Sequence, residues 1–204
     1  LQNRVDPFGR FHAVPERGAL MGNRGILHDS DGVPQRSHAH RNWVACATAY
    51  KERRQVLMRP GAYTQLFFLD EATAFAAGHR PCALCRRTAY RRFAAAWCAV
   101  HGDPPRGRAL RDWIDGPLHR ARIARGTQIT WQADPHRLPS GTMIAVDGAA
   151  VLWWQERCLT WGFSGYAPRS GPVPPQVAVV TPRPVVAAFG AGYEPEAHPS
   201  AQPG

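Results

Sequence analysis

The sequence predicts an α+β protein: a small N-terminal α+β domain, a helical connector, then a small antiparallel β-sheet or barrel. Helix signals concentrate between Asp70 and Arg125, and after Gly126 the apolar pattern changes from helical spacing to alternation. Asp147-Gly148 joins two apolar runs as a two-residue hairpin turn. Gly102-Asp-Pro-Pro-Arg-Gly107 has the composition of a linker, which divides the chain into residues 1–101 and 107–193, with a loose Pro-rich tail over 194–204. With 204 residues and 44% apolar content, the chain is long enough to bury a core as one domain or two small ones.

In chain order, residues 1–32 read as short strands and turns, with apolar runs ending at Val14, Met21 and His28. Asp29, Asp31 and Gly32 resemble the start of a calcium loop, but the closing Glu is missing and the segment reads as a tight turn. Residues 51–65 form a polar connection broken at Pro60-Gly61, leading to a Leu66–Phe68 strand. Asp70 is a helix N-cap, alanines follow, and Gly78 stops the helix as its C′ residue. A second helix opens at the Cys82–Cys85 turn and runs to about His101, with Tyr90, Phe93, Trp97 and Val100 as its buried face. Two short helices, 109–114 and 117–125, make the connector. Strands follow at 127–131, 142–146, 149–154, 157–161 and 177–180, then a last helix from Pro182 to about Phe189.

Cys82-Ala-Leu-Cys85 carries the clearest chemistry. Two thiolates separated by two residues, on a turn entering a helix, can both bond one tetrahedral metal ion through sulfur contacts of about 2.3 Å. A thiol-disulfide couple also favours a helix N-terminus, but such pairs follow a strand, whereas here a helix and its Gly78 stop come first. Cys46 is the natural third ligand. The fourth is open among His28, His40, His38 and His79, with His28 placed first because it ends an apolar run that can aim its ring at a site. Cys98 and Cys158 read as packing residues.

From Phe67 to about Arg92 the chain reads FF-x-D-E-A-x-A-x-A-A-G-H-R-P-C-x-x-C-R. This resembles the second half of the Ada-type zinc domain of bacterial DNA-methylphosphotriester sensors, in which both cysteines of the matching pair bind zinc. The resemblance implies Zn2+ at Cys82 and Cys85. The family's upstream C-x-x-x-C pair, one member of which accepts the methyl group, is represented here by Cys46 alone, so metal binding carries over more directly than methyl acceptance.

The net charge is +10, and every basic side chain except Lys51 is arginine. Guanidinium forks match phosphates and base edges, so a polyanion is the expected partner. Arg86, Arg87, Arg91 and Arg92, beside the cysteine turn, are the expected phosphate contacts. Trp131, Trp153, Trp154 and Trp161 read as sheet core or, alternatively, as a stacking platform for unpaired bases, because adjacent Trp153 and Trp154 must face opposite ways. No nucleophile elbow, Rossmann fingerprint, phosphate loop with Lys, H-E-x-x-H or His-x-Glu is present, which argues against hydrolase-fold, nucleotide-loop, zincin and deaminase chemistry. With no apolar run near the roughly 18 residues needed to span a bilayer, a cytoplasmic protein off the membrane is expected.

The expected function is zinc-dependent binding of nucleic acid, DNA more than RNA, in damage recognition or repair. A metal-dependent nuclease or other nucleic-acid hydrolase, with water on an open metal position and His28 or His40 as base, is the alternative from enzymology. A protein-interaction module with structural zinc is the third reading.

Overall fold

The computed structural model describes residues 1–50 and 57–202; the first part of the predicted polar connection, residues 51–56, lies outside the described residues. The α+β class holds. A mixed six-stranded sheet gathers β1 (Arg4–Val5), β2 (Phe11–His12), β3 (Leu20–Asn23), β4 (Val44–Ala47), β5 (Leu66–Phe68) and β6 (Arg80–Pro81) in the order β2-β1-β5-β3-β4-β6. Helices α1 (Glu71–Ala76), α2 (Arg87–His101) and α3 (Leu110–Arg122) follow, and a two-stranded ribbon joins β7 (Ile123–Ala124) to β8 (Thr127–Gln128). The second sheet contains β9 (Trp131–Ala133), β10 (Thr142–Val146), β11 (Ala149–Trp154), β12 (Arg157–Gly162), β13 (Gly165–Pro168) and β14 (Val177–Val179), and α4 (Arg183–Gly190) follows it. Its order, β13-β12-β11-β10-β14-β9, is antiparallel and open, so the sheet alternative stands and the barrel does not.

The hairpin forms as its turn chemistry dictates. Asp147 and Gly148 both take positive φ, 51° and 78°, and Val146 pairs with Ala149. Helix α1 is capped at both ends. Asp70 accepts from the Thr73 amide at 2.8 Å, while the Gly78 and His79 amides donate to Phe75 and Ala74, a Schellman closure with Gly78 at φ 82°.

All six residues of α1 are buried, and the helix meets a different partner on each side. Ala74 and Ala77 face Leu20, Leu66 and Phe68 of the first sheet; Ala72 and Ala76 face Met143, Leu152, Trp154 and Leu159 of the second. Phe75 joins Phe93 and Trp97 of α2, Ile114 and Leu118 of α3, and Phe189 of α4. The alanines let backbones approach from several directions, and the one aromatic side chain points where three helices meet. These clusters run across the Gly102–Gly107 linker, so the two halves share core.

Several local expectations change. The connector is one helix with Pro117 inside it, because Ile114 and Leu118 are both fully buried in the α2/α4 cluster and that burial outweighs one forfeited amide hydrogen bond. Val100 is exposed, and Ala94 and Ala96 complete the buried face of α2 instead. Trp153 and Trp154 do face opposite ways, yet both are buried, one with Val186 of α4 and the other over α1, which removes the stacking platform. The stretch from Glu194, expected to be loose, is tied down. Glu196 and His198 amides donate to Glu71 and Asp70, and Ala201 is fully buried.

Candidate metal centre

Strand pairing brings the cysteines together. β6 runs parallel to β4, with Ala45 opposite Pro81, and the Cys82 amide donates to the Ala45 carbonyl at 2.9 Å. Cys82 therefore leaves the sheet beside Cys46. A tight turn follows, in which the Arg86 amide reaches the Cys82 carbonyl at 3.1 Å, and this returns Cys85 to the same spot. The three sulfurs lie within 4.8 Å of one another. Tetrahedral bonds of about 2.3 Å set sulfurs about 3.8 Å apart, so the cluster fits zinc with little movement.

The sulfurs are not equivalent. The Cys46 hydrogen bond, joined by the Cys85 and Leu84 amides of the turn, holds Cys82 down at about 5 against the opposing effect of burial. Donating that bond pushes the Cys46 thiol far up, with burial adding to the rise. Burial also raises Cys85, opposed by the Ala47 amide, which donates to its sulfur at 3.4 Å. One thiolate sharing two protons with its neighbours is the donor set a divalent soft metal takes up with proton release. The same cysteines line a pocket of about 380 Å³ walled by Met21, Tyr50, Phe67 and Leu84.

Among the described residues no imidazole or carboxylate joins the three sulfurs within 4.8 Å. His28, the first choice for fourth ligand, is held elsewhere, with Nδ1 2.6 Å from Thr64 Oγ1. His79 is fully buried against Phe68, and its Nε2 accepts from Arg24 at 3.2 Å. His38 packs on Trp43 and His119, and His40 lies beside Gly25 and lends its carbonyl to the Trp43 indole.

The arginines divide. Arg87, Arg91 and Arg92 are exposed on the first turns of α2, with Arg92 also lying 5.5 Å from the Tyr193 ring centroid. Arg86 is not available to a phosphate. Its side chain is 8% exposed and pairs with the buried carboxylate of Glu71 at 2.8 Å. Sequence reasoning missed the aromatic pocket wall, which comes from separate loops and strands, and a cluster of Arg24, Trp43 and Arg122 assembled from three distant segments.

Comparison with protein-family models, with curated proteins and with solved structures finds no match to this chain. No helix among the described residues is long and apolar enough to cross a membrane.

Proposed function

We propose that this chain binds one zinc ion through Cys46, Cys82 and Cys85 and binds nucleic acid, DNA in preference to RNA, on the basic surface beside it, in recognition or repair of damage. The observation that carries the reading is the convergence of three sulfurs at the foot of a helix whose first exposed side chains include Arg87 and Arg91. Zinc bound there supplies a cross-link between β4 and the turn before α2, fixing the helix that presents those arginines. The pocket beside the sulfurs, walled largely by apolar and aromatic groups, suits an alkylated or unstacked group of a damaged strand. The resemblance of Phe67–Arg92 to the Ada-type module supports the same assignment.

The hydrolase reading has less behind it. Three thiolates cancel the charge of a divalent ion and leave it a weak acid for water, and no described imidazole or carboxylate lies with the sulfurs to serve as base. X-ray absorption separates the two: three sulfurs and a protein-derived fourth donor fit the binding role, and three sulfurs with an exchangeable water fit the hydrolase.

The test is salt dependence. Affinity for duplex DNA, read by fluorescence anisotropy between about 50 and 200 mM salt, should fall steeply, and Arg87→Ala with Arg91→Ala should reduce the log–log slope by about two. An unchanged slope sinks the assigned face. Absence of binding at the lowest salt sinks the nucleic-acid reading and leaves a protein-interaction module with structural zinc.

A further inference from the structure

Away from the sulfurs, two arginines are buried with no counter-ion among the described residues. Arg24 and Arg122 are 1% and 2% exposed, and both stack on Trp43, with guanidinium carbons 4.2 and 3.8 Å from its ring centroid. Among the described residues neither has a carboxylate within 4.0 Å. Asp115, the acid acting on Arg122, is already forked by Arg80 at 2.7 and 2.6 Å; Asp6, the acid acting on Arg24, is taken by His12 and the Arg10 amide. The guanidiniums spend their donors on neutral acceptors: the carbonyls of Gly9, Ser37, Ala77, Gly78 and Arg41, and the rings of His79 and His119. Burial lowers both, Arg24 and Arg122 alike to about 9, and the Arg24 charge lowers Arg122 further. Two uncompensated cations side by side are costly to bury unless something offsets them.

The cluster lines a cavity of about 60 Å³, reached through an outer cleft of about 670 Å³ with which it shares Phe8, Gly9, Ser37, Gly126 and Gln128. At about 10–15 Å³ per water, the inner space matches the four oxygens of one oxyanion. Two buried atoms of its lining residues lack partners among the described residues: Arg122 Nε, a donor, and Gln128 Oε1, an acceptor. The acceptor is fixed as such, because Gln128 Nε2 already donates to Ala76 and Pro7 carbonyls. A cavity offering guanidiniums and one acceptor fits an oxyanion bound in a protonated form, open to phosphate and to a phosphomonoester, whose second pKa is about 6, and closed to sulfate. The outer cleft adds Arg10 and Arg36 beside Phe8 and Phe11, cationic and aromatic together.

We propose that Arg24, Trp43 and Arg122 form a binding site for a phosphomonoester, the phosphate entering the inner cavity and an aromatic carrier such as a nucleoside lying in the outer cleft. The site shares no lining residue with the pocket beside the sulfurs and does not depend on the zinc reading.

The experiment titrates the isotope-labelled full chain with inorganic phosphate and follows the arginine Nε–H resonances by NMR. The Arg122 Nε–H, unpartnered in the structure, should shift saturably, with sulfate at least about tenfold weaker, the difference expected when one buried polar group stays unpaired. Adenosine monophosphate should bind more tightly than phosphate, and Arg10→Ala, in the open cleft, should remove that gain. A 5′-phosphorylated oligonucleotide exceeding both, with its unphosphorylated form inactive, places the phosphate at a strand end; equal strength with the mononucleotide places it on a small molecule. Arg122→Lys should lose at least about tenfold. Should that variant misfold by circular dichroism, the wild-type titration decides alone. No saturable Arg122 shift, or unchanged phosphate affinity in a folded Arg122→Lys protein, overturns the assignment.

Discussion

Two clusters of opposite character lie along one segment of chain, Cys46 within β4 and Trp43 immediately before it. At Cys46 the neighbours are sulfurs, half-exposed and able to gather negative charge around a cation. At Trp43 they are guanidiniums, buried and short of an anion. The sulfur cluster tolerates solvent because thiols desolvate cheaply, and its geometry comes from one strand pair and one turn. The arginine cluster must be buried to act, and its geometry depends on the first sheet, the α1 C-terminus and α3 all being in place. A local device can be written in a few residues, whereas a buried charge cluster needs the finished fold.

The largest expected effect cuts the sulfur side alone. Cys46→Ser should drop zinc content from about one ion per chain to near zero by mass spectrometry of metals, since two remaining sulfurs make a poor site. A variant retaining stoichiometric zinc would break the triad. On the other side, Trp43→Ala removes the surface on which both guanidiniums stack and should cost about 3–5 kcal/mol in urea unfolding. A cost below about 1 kcal/mol would mean that the arginines hold the site without the indole. Gly78→Ala should cost about 1–3 kcal/mol, because Gly78 sits at φ 82° and an added Cβ would lie 2.5 Å from Arg122 Cδ. That substitution disturbs the α1 stop and the arginine cluster together, so chemical denaturation combined with the phosphate titration shows whether they are coupled.

The smallest effect is one of pH. Burial, then Arg24 and Arg122, keep His79 well below its usual value, and partial burial with Arg122 lowers His119 to about 4. The unfolded chain binds protons near pH 6.5 that the folded chain refuses, so this stability is complete above about 6.5 and is lost as pH falls below it. Asp70 and Glu71, raised mainly by burial, act in the opposite sense on acidification. The comparison that isolates the imidazole is therefore with His79→Gln, which keeps an acceptor for Arg24. Wild type should lose more melting temperature than the variant between about pH 7 and 5. Equal losses would remove His79 as the source.

What could be read in advance follows the same division. The Cys82/Cys85 turn, the Asp70 cap, the Gly78 stop and the Asp147-Gly148 hairpin were legible because each is decided within a few residues. Cys46 was legible as the one cysteine left upstream. His28 was not, since its ring is claimed by Thr64, a partner 36 residues away. Arg86 looked like its exposed neighbours; only Glu71 underneath it, itself held by Tyr193 and Glu196, distinguishes it. The arginine cluster left no trace in sequence, as positions 24, 43 and 122 meet only in three dimensions. The helix through Pro117 and the second buried tryptophan were likewise settled by packing, which overrides local preference wherever burial is complete.

The clasp between the last residues and the start of α1 has a consequence for biosynthesis. Asp70 and Glu71 sit at the centre of the molecule, yet Tyr166, Tyr193, Glu196 and His198 supply much of what satisfies them. A nascent chain that has emerged only through α3 carries both carboxylates with those partners still inside the ribosome. The cysteine turn can exist by then, but the helix it leans on is fully satisfied only once residue 198 has emerged, so a chain stopped near residue 190 would keep its sulfurs while Asp70 lacks the His198 amide and Glu71 lacks Tyr193 and the Glu196 amide.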